Sequence, residues 1–158
     1  MLRIIRDSRE QAGYTFANFP DVEATTGTLA TGDYTLAGFA DRLAIERKEL
    51  SDLLACLTTE RDRFIRELER LRGYEAVAVV VEAQYSDILA GRYRSRMKPE
   101  AAEQSIISLM ANFRLPFFFA GNRQNGERFT RDFIRHYHRH AVERYKALAD
   151  QIAPKMGK

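Results

Sequence analysis

Apolar positions along the chain switch between a period of two and a period near 3.6, and the switches mark out the elements. Leu2 to Arg6 predicts a short strand that ends at the polar cluster Asp7-Ser8-Arg9-Glu10. Residues 22 to 30, Thr-rich with Gly27 inside, predict a second strand. Gly32 interrupts the pattern ahead of a third, Asp33-Tyr34-Thr35-Leu36. Gly38 to Arg42 reads as a hairpin turn that returns the chain as Leu43-Ala44-Ile45-Glu46-Arg47-Lys48. Ser51 then suits a helix N-cap, and Leu53, Leu54, Leu57, Phe64, Ile65, Leu68 and Leu71 recur at helical spacing up to a stop at Gly73.

Ala76 to Val81 is an unbroken apolar, mostly β-branched run, the signature of a central strand covered on both faces. Pro99 opens a helix that turns Ile106, Ile107, Met110 and Phe113 inward. Leu115 to Ala120 predicts a further buried strand starting at Pro116, and Gly121 to Gly126 a polar turn. The last helix carries Phe129, Phe133, Tyr137, Ala141, Tyr145 and Leu148 on one stripe. Strands first, then helix, strand, helix, strand and helix: this order predicts an α/β fold with a mixed central sheet flanked by helices. With 158 residues the expectation is a single domain over residues 1–150, followed by a flexible tail over 151–158.

Composition narrows the class without naming a chemistry. At 45% apolar and 30% charged, the chain is globular rather than disordered, and no apolar run approaches bilayer length. The N-terminus is charged within a few residues, so no signal-peptide block is expected there. Cys56 is the sole cysteine, which excludes an internal disulfide and makes a reducing, cytoplasmic setting the expectation, of a bacterial or phage-like intracellular kind. The net charge of +3 is weak evidence for a polyanion partner. The charge type says more, because Arg outnumbers Lys by 20 to 5 and its planar fork grips phosphate oxygens in pairs.

The chemistry concentrates in the fourth predicted strand. Two residues apart on one strand, Glu46 and Lys48 project from the same face, and Arg47 from the other. Glu46 offers a hard oxygen ligand for Mg²⁺, and Lys48 can steady an attacking water or developing negative charge. The predicted hairpin would bring Asp33 alongside. Two carboxylates and a lysine at a hairpin mouth make a hydrolytic metal site; in isolation the same triple is more often a surface ion pair. Two other signals are weaker. His136 and His140 stand four apart on a helix, but they lie among Arg131, Arg135, Arg139 and Arg144, which repel a cation. The stretch Arg92-Tyr93-Arg94-Ser95-Arg96-Met97-Lys98 is the densest basic segment, equally readable as a DNA-backbone contact or a solvated loop.

Gly32-Asp33-Tyr34 followed by Ile45-Glu46-Arg47-Lys48-Glu49-Leu50-Ser51-Asp52 closely resembles the signature of the XPF-type structure-specific endonucleases. There a Gly-Asp pair precedes Glu-Arg-Lys, with an aspartate four residues beyond the lysine. Asp7-Ser8-Arg9-Glu10 resembles that family's opening strand end, and the likeness runs over roughly residues 2–140. The resemblance implies a restriction-endonuclease-like fold and a metal-dependent DNA endonuclease, acting on branched DNA or single-strand/double-strand junctions in repair or recombination. It implies Mg²⁺ or Mn²⁺ bound by Asp33 and Glu46, with the Arg47 carbonyl a further ligand and Asp7 and Glu10 on the outer side of the site. Lys48 would position the water, leaving 5′-phosphate and 3′-hydroxyl ends. Asp52 fits a role in orienting Lys48 or Arg47, or in the first helical turn, better than one on the metal. Arg9 and Arg47 are candidate phosphate grips or simple ion-pair partners of neighbouring carboxylates, and Arg92, Arg94, Arg96 and Lys98 are further candidates for DNA contact. The resemblance also implies a homodimer paired through C-terminal helices. Family members usually carry helix-hairpin-helix modules as well, and none is visible in this sequence. A non-catalytic DNA-binding or scaffold subunit, and a sequence-specific restriction-type enzyme, are the alternatives.

Overall fold

The computed structural model describes residues 1–153 and holds eleven elements: β1 (Leu2–Asp7), β2 (Val22–Gly27), β3 (Tyr34–Leu36), β4 (Leu43–Lys48), α1 (Leu50–Leu57), α2 (Arg61–Leu71), β5 (Ala76–Val81), α3 (Tyr85–Leu89), α4 (Pro99–Phe113), β6 (Phe117–Phe119) and α5 (Arg123–Ile152). The six strands form one sheet in the order β2-β1-β3-β4-β5-β6. β3 runs antiparallel to β1 and β4, while the β1/β2, β4/β5 and β5/β6 pairs are parallel. This is the mixed, helix-flanked sheet that the hydrophobic pattern predicts.

The strand period divides the core in two. Ala44, Val77, Val79 and Val81 face one side, where they pack with Leu53, Leu57, Phe64 and Leu68 of α1 and α2 and Ile106 of α4. Ile45, Ala78 and Val80 face the other, where Ile134, Tyr137 and Ala141 of α5 join Tyr14, Phe16 and Tyr34. Covering on both faces is what the apolar run of β5 requires, since no position on it can afford a polar side chain.

Several boundaries differ from the sequence expectation. The single helix expected from Ser51 to Leu71 is two. The chain leaves the helical region at Thr58 (φ −126°, ψ −97°), where the threonine hydroxyl bonds back to the Leu54 carbonyl at 2.8 Å. Such back-bonding offers the backbone an alternative to the next helical turn. Glu49, not Ser51, occupies the N-cap position of α1, without a side-chain cap bond. α5 begins at Arg123, capped by the Asn122 side chain, so most of the polar segment 121–126 is helical and only its start turns. Gly126 lies inside that helix because a Cβ there would overlap the Tyr14 hydroxyl. β2 ends at Gly27, β6 is shorter than predicted, and the five-residue α3 is not legible from periodicity. Phe118 is not core but 40% exposed, its ring stacked on Phe129 at 3.9 Å. α5 continues to Ile152, past the boundary expected at 150; the tail expected beyond it, residues 154–158, lies outside the described residues. No helix is long and apolar enough to cross a membrane among the described residues.

Gly32 sets the entry to β3. Its φ is +80°, and a Cβ there would lie 2.9 Å from the Ala44 Cβ on β4. Gly32→Ala combines left-handed strain with overpacking, an expected loss of about 1–3 kcal/mol. Thermal unfolding should show this as a Tm lowered by roughly 3–9 °C.

Candidate active site

Because β3 opposes both of its neighbours, the end of β1, the start of β3 and the end of β4 meet at one edge of the sheet. Asp7 N–H donates to the Asp33 carbonyl at 2.8 Å, and Asp33 N–H to the Ile45 carbonyl at 2.7 Å. One residue further, the Asp33 side chain takes over from the backbone ladder, accepting the Arg47 N–H at its Oδ2 at 2.7 Å. The N–H and C=O of a strand residue point toward the same neighbour. The Arg47 carbonyl is therefore turned to the Asp33 side as well.

Glu46 and Lys48 share the α1/α2 face, as their spacing predicts. Lys48 Nζ lies 2.8 Å from Glu46 Oε1, 3.9 Å from Glu67 Oε2 on α2, and 5.3 Å from the centre of the Phe64 ring. Glu46 is 5% exposed, and the nearby Glu67 adds to the rise of its carboxyl. Burial pushes the Asp33 carboxyl up to about 7, against the pull of the Arg47 N–H, and the nearby Glu10 adds to the rise. Burial, then the neighbouring Asp33 charge, raises Glu46 well above the usual carboxylate range. Burial works against the charge of Lys48, but Glu46 and Glu67 outweigh it and hold the ammonium protonated.

Arg47 points to the opposite face. Its Nε and Nη2 donate to the two oxygens of Glu82 at 2.7 and 3.0 Å, its Nη2 to Glu49 at 2.9 Å, and its Nη1 to Glu10 at 3.4 Å. With its side chain 5% exposed and over the Tyr14 ring, this guanidinium is engaged by protein carboxylates rather than held ready for phosphate. The Asp7 carboxylate is similarly taken by Arg9, with Arg9 Nη2 at 2.5 Å, and that hydrogen bond holds its pKa below the ordinary value. Arg9 also donates to the Leu29 carbonyl at 2.7 Å. Asp52 is exposed in the first turn of α1 and borders the same cleft. Arg92 pairs with Asp87 at 2.8 Å, and Arg94, Arg96 and Lys98 are exposed on a loop that does not line the cleft. His136 faces Arg139, and His140 pairs with Glu143, both at the surface of α5.

The cleft over this cluster encloses about 820 Å³ and is lined by seven acidic and five basic side chains. Among the described residues, no three His, Cys, Asp or Glu side chains converge in a metal-holding geometry. Asp7 and Glu10, expected on the outer side of a metal site, are instead held by Arg9 and Arg47. The set that fits a divalent cation is smaller: Asp33, Glu46 and the Arg47 carbonyl. Mg²⁺ is ordinarily held by one or two carboxylates with several waters retained, so a pair suffices. Both buried carboxyls are raised chiefly by burial, and Lys48 lies against Glu46. Glu67 and Glu82 went unnoticed in the sequence. Glu67 sits between Phe64 and Leu68, at the margin of the apolar stripe of α2, and Glu82 directly follows a fully buried strand. A carboxylate in either place is a signal in itself.

Sheet order, flanking helices and the cluster at the β3/β4 edge define a restriction-endonuclease-like nuclease-domain fold. The chain belongs to the ERCC4 domain family, whose family model matches residues 6–133. Among solved structures, "XPF from Aeropyrum pernix" superposes with a TM-score of 0.70 at 22% identity, over 98% of this chain and 75% of that one. The same protein in complex with DNA gives 0.70 at 21% identity, over 99% and 76%. "Putative ATP-dependent RNA helicase MJ1505" of Methanocaldococcus jannaschii is 28% identical over 124 residues. That match takes in 78% of this chain but only 14% of the relative's length.

The raised Asp33 fixes the sign of a stability change in metal-free buffer. The folded protein binds more protons than the unfolded chain between 3.8 and about 7, so stability falls as pH rises through that window. Asp33→Asn, which can still accept from Arg47 N–H, should therefore raise Tm at pH 8 in EDTA, with the advantage gone below pH 4. An unchanged Tm at pH 8 would show that Asp33 ionises freely.

Proposed function

We propose that the protein is a divalent-metal-dependent DNA endonuclease that hydrolyses phosphodiester bonds. The carrying observation is the convergence of Asp33, Glu46 and Lys48 in one open cleft, with Lys48 Nζ 2.8 Å from Glu46. Membership of the ERCC4 family and the fold shared with XPF support it.

Asp33 and Glu46, with the Arg47 carbonyl, would hold Mg²⁺ or Mn²⁺, which when bound supplies Lewis-acid stabilisation and an acidified water. Lys48 has a narrower role than its position alone allows. Held protonated, it cannot take a proton from water; it donates, orienting the nucleophile or meeting charge on the phosphate oxygens. Glu67 flanks the ammonium from the α2 side at 3.9 Å. Arg47 and its carboxylates brace the opposite face of β4, which keeps the Glu46 and Lys48 side chains aimed at the cleft.

Substrate and assembly are the finer part of the proposal. A preference for branched or single-strand/double-strand DNA follows the resemblance in the Gly-Asp and Glu-Arg-Lys motifs, and the Aeropyrum pernix neighbour is described in complex with DNA. α5 leaves Val142, Tyr145, Leu148 and Ile152 exposed at helical spacing, an apolar stripe suited to a homodimer. Tyr145→Asp with Leu148→Asp should shift the protein to the monomer position in light scattering if that stripe is the dimer contact.

Purified protein with Mg²⁺ should cut a splayed-arm duplex, and EDTA should stop it. Asp33→Ala or Glu46→Gln should abolish cutting while sparing binding, and Lys48→Ala should slow it by about 10²-fold or more. Undiminished cutting by Asp33→Ala would remove this site from the mechanism. Discrete bands from plain plasmid digested alongside would point to a restriction-type enzyme, and binding without cutting to a scaffold subunit.

A further inference from the structure

The cations singled out in the sequence for phosphate contact are largely occupied or elsewhere: Arg9 on Asp7, Arg47 on three glutamates, Arg92 on Asp87, and the rest outside the cleft. Two other arginines line it. Arg63 and Arg70 both come from α2, and both are exposed. Arg70 has no ion-pair partner among the described residues, and Arg63 has only Glu60, in an exposed pair at 3.3 Å worth little in water.

Their placement follows from helical geometry. Arg63 precedes Glu67 by four residues and Arg70 follows it by three, so all three share one face of α2. Glu67 is the residue that reaches Lys48. The arginines thus lie about one helical turn to either side of the candidate reaction centre, some 10 Å apart along the helix axis. That is the length of a few nucleotides, at about 3.4 Å of axis per nucleotide on one strand. The open cleft's 820 Å³ lies in the range of pockets that hold drug-sized ligands, the size of a short run of one strand rather than of a duplex.

We propose that α2 is the strand-guiding wall of the cleft: Arg63 and Arg70 hold backbone phosphates on either side of the phosphodiester presented to Lys48, and the strand they hold is unpaired at that point. This rests on the nuclease reading and names the form in which its substrate enters. Arg66, exposed on α2 but not lining the cleft, lies outside the rail.

The test is the salt dependence of binding, measured by fluorescence anisotropy with the full chain carrying Glu46→Gln, against a single-stranded oligonucleotide and a blunt duplex. Arg63→Ala with Arg70→Ala should weaken single-strand binding at least about tenfold at low salt. It should also flatten the log–log salt slope by about 1.4, two phosphate contacts at about 0.7 each. Arg66→Ala should change the slope by much less, and Arg63→Lys with Arg70→Lys should restore most of it. Unchanged affinity and slope in the double alanine variant, with thermal unfolding unaltered, would overturn the rail. So would a loss confined to blunt duplex. If the Glu46→Gln parent binds neither DNA, the nuclease reading fails instead; if it still cuts, Glu46 leaves the proposed site, and each failure is distinguishable from that of the rail.

Discussion

Everything at the open edge of the sheet depends on one hydrogen bond, from the Arg47 amide to the Asp33 carboxylate. It extends the β3/β4 ladder by one rung after β3 has run out of backbone, and it makes a candidate-site residue part of the scaffold. The same bond fixes the direction of the Arg47 carbonyl and, through strand alternation, the faces on which Glu46 and Lys48 emerge. Gly32 makes the approach possible, since only a residue without a Cβ fits against Ala44 at that φ. The candidate site is therefore positioned by main chain first and by side-chain packing second, the kind of rigidity that the proposed chemistry would require.

Electrostatics divides β4 between two tasks. On one side Glu46 and Glu67 set two carboxyls against the single ammonium of Lys48. On the other, Arg47 is surrounded by Glu10, Glu49 and Glu82 and is complete within the protein. The contrast gives adjacent residues of the Glu-Arg-Lys segment separate physical duties. The outer two offer chemistry, and the middle one holds the strand in place. A buried, fully engaged guanidinium beneath the strand is also not free to meet a phosphate.

Strand periodicity and the Glu-Arg-Lys segment made most of this legible from residues alone. The sheet, the two-sided burial of β5, the common face of Glu46 and Lys48 and the opposite aim of Arg47 all follow from alternation. What alternation cannot convey is how charged side chains choose partners across the fold. Sequence leaves Arg9 open between a phosphate grip and an ion pair, and the fold pairs it with Asp7 two residues away. Glu67 escaped notice because its partner lies nineteen positions earlier, on a different element. The break at Thr58 is not legible either, because apolar spacing continues through it in phase while the backbone there leaves the helical region.

Strand alternation also makes the identity of each face a matter of reading frame. Adding or deleting one residue within β4 would turn Arg47 toward the cleft and bury Glu46 and Lys48 against the aromatic side, inverting the chemistry without altering composition. The turn at Phe39–Arg42, anchored by Phe39 N–H on Leu36 and Leu43 N–H on Phe39, is the gauge that sets this parity. Length changes in that short connection are thus expected to be far less tolerated than substitutions in it, although it lies at the opposite end of the hairpin from Asp33.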